Sequence, residues 1–112
     1  MPRSLNPARE VLQIVELRRA LESEAASVAA QRRSSSQLAE IEEAFHAIDA
    51  EVAAGGDGVM ADIAFHRAIA QATGNPYFVR TLDFLTQYLT AATRVTRANE
   101  ARPPSIHAAS PR

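Results

Sequence analysis

The chain has 112 residues, of which 46% are apolar, and a formal net charge of −1 from 12 basic and 13 acidic side chains. That length suits one domain with a modest core, and the composition is globular rather than disordered. The absence of cysteine excludes disulfides, thiol catalysis and cysteine-based zinc sites, and the balanced charge gives no electrostatic case for binding nucleic acid.

The first element is a helix. Asn6-Pro7 reads as an N-cap followed by proline at the first helical position. Ile14, Leu17, Leu21, Ala25 and Val28 then recur at steps of three and four, to about Arg32. Ser34 with Gln37 three residues on fits a capping box and opens a second helix, striped by Leu38, Ile41, Phe45, Ile48 and Val52. Gly55-Gly56 ends it, and Asp57 is the expected cap of a third helix containing DIAFHRAIAQATGNP. Gly74-Asn75-Pro76 reads as a junction: a left-handed glycine, a cap, and a proline that begins the next helix.

The fourth helix, about 76 to 98, carries two apolar stripes: Phe78, Leu82, Leu85, Leu89 and Ala92, and Tyr77, Phe84, Tyr88, Ala91 and Val95. Two stripes predict burial on two sides, inside a bundle or at a subunit interface. After Glu100 the periodicity stops and three prolines follow, which predicts a disordered tail over 101–112. The expected fold class is all-α: an antiparallel bundle of about four helices over residues 1–100, with an irregular C-terminal tail. No run is long and apolar enough to span a membrane, and MPRSLNPARE lacks the apolar core of a signal peptide. A cytoplasmic protein with no membrane partner is expected.

Asp62 and His66 lie one turn apart on one helix face. A carboxylate and an imidazole so placed can hold one divalent ion, zinc or nickel suiting the imidazole. Spacing alone favours a surface ion pair or hydrogen bond instead, and two ligands are too few for a complete protein site. Arg18 has Glu22 as an i,i+4 partner, or turns inward to clamp a carboxylate. His46, off its helix stripe, and His107, in the tail, read as solvated. Arg94 and Arg97 suit the end of the fourth helix through its dipole. No nucleophile elbow, P-loop or HExxH motif occurs, so nothing argues for an enzyme.

ELRRALESEAASVAA (Glu16, Arg18, Glu22), followed by DIAFHRAIAQATGNPYF (Asp62, Phe65, His66, Ile69, Gly74, Asn75, Pro76), resembles the effector-binding C-terminal domain, of FCD type, of FadR-branch GntR-family bacterial transcription regulators. The resemblance covers roughly residues 8 to 98. It implies a helical bundle that binds a small carboxylate effector, often with a divalent metal, and that forms a homodimer. It makes Asp62 and His66 metal ligands facing a cavity, and Arg18, with Asn75, the effector contacts.

Two departures from the family pattern shape the expectations. Regulators of this kind carry an N-terminal winged helix-turn-helix, for which these 112 residues show no counterpart, so no direct DNA binding by this chain alone is expected. Metal-binding members add two histidines from later helices, the first in an E-H motif, and neither is matched here. A metal site of Asp62 and His66 is therefore incomplete, and its zinc or nickel affinity weak. The expected function is the ligand-sensing and dimerisation part of a regulator, truncated at both ends. The rivals are a stand-alone helical oligomerisation module, a non-functional remnant and, last, a metal-dependent enzyme using Asp62 and His66.

Overall fold

The computed structural model describes residues 6–101, with side chains characterised as far as Ala92. Of the expected tail over 101–112, Ala101 belongs to α4; residues 102–112, including His107, and the side chains of Arg94, Val95 and Arg97 fall outside that description. The described residues form four helices and no strand: α1 (Pro7–Arg32), α2 (Ser35–Ala53), α3 (Val59–Ala72) and α4 (Pro76–Ala101). The all-α expectation holds.

Helix starts follow local chemistry. The Asn6 side chain accepts from Arg9 N–H, and Pro7 occupies the first turn. Ser34 Oγ accepts from Gln37 N–H while Gln37 Oε1 accepts from Ser34 N–H, completing the capping box. Asn75 Oδ1 accepts from Tyr77 N–H, one residue past Pro76. The start of α3 differs from expectation. Its cap is Gly58, at φ 75°, and Asp57 instead reaches over it to accept from Val59 N–H at 3.0 Å. Gly58 is needed for space as well as for its dihedral. A Cβ there would sit 3.0 Å from Val52 Cγ2.

α3 is the hub. It packs against α1, α2 and α4, and α1 also packs on α4, whereas α2 touches α3 alone among the described residues. Arg33 and Ser34 are both extended, so the chain leaves α1 without folding α2 back along it. The bundle is accordingly open and flat, 59 × 46 × 16 Å. Its radius of gyration is 18.0 Å, against about 13 Å for a compact chain of this length.

The flatness shows in the core. The buried apolar side chains among the described residues are Ala25 and Ala29 of α1, Ala61, Ala70 and Ala72 of α3, and Leu82 and Leu85 of α4. Alanines let helix backbones approach closely, and the two leucines fill what space remains. No residue of α2 is fully buried, and Phe45 and Val52 of its stripe stay half-exposed. Among the described residues, only the first of the two α4 stripes is buried, through Leu82 and Leu85. Tyr77, Phe84 and Tyr88 face outward, with Arg80 stacked over the Tyr77 ring.

Among the described residues, one polar side chain is fully enclosed. Thr73 Oγ1 donates to the Ala70 carbonyl at 2.6 Å and accepts from Asn75 N–H at 3.1 Å. Arg32 Nη1 donates to the Thr73 carbonyl, tying the end of α1 to this α3–α4 junction. Thr73→Val keeps the shape but leaves the Asn75 amide without its acceptor. It is expected to cost about 1–3 kcal/mol, read as a lower denaturant midpoint. An unchanged midpoint would mean that water takes over the bond.

Candidate functional site

A cleft of about 520 Å³ opens where α1, the α2–α3 turn, α3 and α4 meet. This falls within the size range of small-molecule sites. Its polar lining is Arg18, Asp57, Asp62, Thr86 and Thr90, and Ile48, Ile63 and Leu89 contribute apolar walls. Arg18 and Asp62, from separate motifs 44 residues apart, thus share one cleft.

Arg18 satisfies both readings of its sequence. Its Nε donates to Glu22 Oε2 at 2.9 Å, as an i,i+4 pair, yet the side chain is only 20% exposed and borders the cleft. The bond to Glu22 uses Nε, so the terminal guanidinium nitrogens remain to meet a ligand carboxylate as a fork.

His66 stands beside Asp62 on α3, with Nε2 3.4 Å from Asp62 Oδ1. Two donors bound to a tetrahedral zinc at ~2.0–2.1 Å lie about 3.3 Å apart, so the pair has the bite such an ion requires. Its other ring nitrogen, Nδ1, faces Glu22 Oε2 at 3.7 Å. The carboxylates therefore flank the imidazole on opposite edges and do not converge on one point. Among the described residues, no three histidine, aspartate or glutamate side chains are grouped to hold a metal. Phe65 packs edge-on against the His66 ring, with centroids 5.1 Å apart, and against Phe45 of α2.

Asn75 is not brought to this cleft. It lies beyond the C-terminal end of α3, whose last residue, Ala72, is about 15 Å along the helix axis from Asp62 at 1.5 Å per residue, and its side chain caps α4. His46 is exposed on α2, as expected. The sequence reading missed Thr86 and Thr90. Their signal was present, since two threonines one turn apart run directly beside the stripe at Leu85 and Leu89. Glu22 was read only as a partner of Arg18, because its proximity to His66 depends on how α1 and α3 pack.

The chain belongs to the FCD domain family, whose model matches residues 13–109. Among curated proteins it is similar to the HTH-type transcriptional regulator LutR of Bacillus subtilis (strain 168), at 34% identity over 88 residues. That match covers 79% of this chain and 40% of LutR, so the chain spans about two-fifths of its relative's length. No helix among the described residues is long and apolar enough to cross a membrane.

Proposed function

We propose that the chain is the ligand-sensing part of a GntR/FadR-type transcription regulator and that it takes a small carboxylate in the cleft bordered by Arg18 and Asp62. The observation that carries this reading is the meeting of these two residues, from two helices, in one cavity of ligand size, within an FCD chain. The Arg18 fork would hold the carboxylate. Asp62 and His66 would hold a zinc or nickel ion, which would supply a second, fixed positive charge for it. The cleft needs that charge. Arg18 is already paired with Glu22, and Asp57 and Asp62 otherwise leave the lining acidic.

In a complete regulator, working in the cytoplasm, ligand binding would shift the bundle between states that differ in operator affinity. The domain would act as a sensor rather than a catalyst, over residues 1–100, without binding DNA by itself. It would work as a homodimer. The exposed apolar face of α4 also favours a second reading, a structural oligomerisation module with no ligand.

Calorimetric titration with zinc and nickel tests the site. Two protein ligands repay an ion's dehydration less well than four, so binding is expected to be weak and to fall further as acidification protonates the ligands. His66→Ala is expected to abolish it and His46→Ala to leave it unchanged. Equal losses from both would make the binding adventitious and remove the metal from the proposal. Acetate added to the zinc-loaded protein is expected to bind, and to lose affinity in Arg18→Met.

A further inference from the structure

The charges around the cleft do not balance. Among the described residues, its lining sets one cation, Arg18, against two carboxylates, Asp57 and Asp62. Arg18 is also shared already, since its Nε donates to Glu22 Oε2 at 2.9 Å. A simple carboxylate entering here adds negative charge to a negative excess, and like charges repel more strongly where water is partly excluded. Asp57 is fixed in place. Its Oδ1 accepts from Val59 N–H at 3.0 Å, which leaves Oδ2 to meet a ligand. Asp62 follows in the first turn of α3, so both carboxylates stand at one end of that helix while Arg18 comes from α1. The dipole of α3 suits acidic residues at its start, but it does not require both to line a cavity.

We infer that the ligand carries an ammonium group as well as its carboxylate, and is therefore an amino acid, with the carboxylate on the Arg18 fork and the ammonium on Asp57 and Asp62. An ammonium offers three donors and no acceptor, and carboxylates accept from it with the added strength of opposite charge. The hydroxyls of Thr86 and Thr90 donate or accept, so they serve either end of such a ligand. Ile48, Ile63 and Leu89 line the same space and suit its carbon chain. A zwitterion adds no net charge to the cleft. It also brings its own cation, where the described residues group no three side chains to hold a metal.

This inference rests on the carboxylate reading given above and does without the ion, so its test is made with EDTA present. Calorimetry compares 5-aminopentanoate, pentanoate and pentylamine at about pH 7, where amine and acid are both charged. The flexible chain lets the two ends of the amino acid find their own separation. 5-Aminopentanoate is expected to bind at least roughly tenfold more tightly than pentanoate, the worth of a modest charged hydrogen bond. The double variant Asp57→Asn, Asp62→Asn should bring the two within about twofold, and the asparagine oxygen at 57 can still cap α3. Pentanoate binding as tightly as the amino acid, or an advantage unchanged in the double variant, would overturn the inference and leave the carboxylate reading standing. Pentylamine binding as tightly as the amino acid, with both indifferent to Arg18→Met, would uphold the ammonium contact and sink the carboxylate reading instead. Binding of none of the three would overturn both.

Discussion

Leu85→Ala is expected to destabilise the fold by about 3–5 kcal/mol, the upper part of the range for a buried leucine. Leu85 is 3% exposed and Leu82 4%, and every other fully buried apolar side chain among the described residues is alanine. Alanine has no rotamer with which to move into a void. The cavity left at position 85 should therefore persist, on a helix that packs against both α1 and α3. Domains are typically stable by only about 5–15 kcal/mol, and a chain with this few buried side chains should lie toward the low end, so the variant should be largely unfolded at moderate temperature. Leu12→Ala is the control: Leu12 is 69% exposed, and its loss should stay within about 0.5 kcal/mol. Urea denaturation checks both, at one fixed protein concentration because association would add its own stabilisation. A loss below about 1 kcal/mol at Leu85 would mean that α4 does not anchor the core.

The native chain is expected to self-associate at micromolar concentration, and Phe84→Asp to raise the dissociation constant by roughly 30-fold or more, the effect of a hot spot worth about 2 kcal/mol. Tyr77, Phe84 and Tyr88 fall at steps of seven and four on α4, so they form one stripe, and their exposures are 65%, 66% and 39%. Met60→Asp, at a site 70% exposed on α3, should leave association unchanged. Sedimentation velocity across a concentration series distinguishes the outcomes. A native monomer throughout, or a dimer indifferent to Phe84→Asp, would remove the α4 face from the assembly.

What the sequence determined by itself was local. Asn6-Pro7, Ser34 with Gln37, and Gly74-Asn75-Pro76 place helix ends because their hydrogen bonds and dihedrals involve residues no more than four apart. The helical period settled the all-α class for the same reason, and the order of the Arg18 and Asp62–His66 motifs was enough to suggest the family. Asp57 shows the limit even of local reading, since Gly58 takes the cap where a side chain would press on Val52 from α2.

The tertiary structure decided what depends on residues far apart in the chain. Two stripes on α4 could not say which of them would meet α1 and α3 and which would face solvent, because periodicity records apolar faces and not their partners. The same holds for α2, whose regular stripe rests on α3 alone among the described elements. Asn75 shares a motif with Asp62 but not the cleft, since the length of α3 separates them, and His66, one turn on from Asp62, is not among the residues lining it. Glu22 and His66 are 44 residues apart, and the crossing of α1 over α3 alone sets the 3.7 Å between them. Helix positions follow from side-chain packing, and no spacing within one helix encodes the angle at which it crosses another.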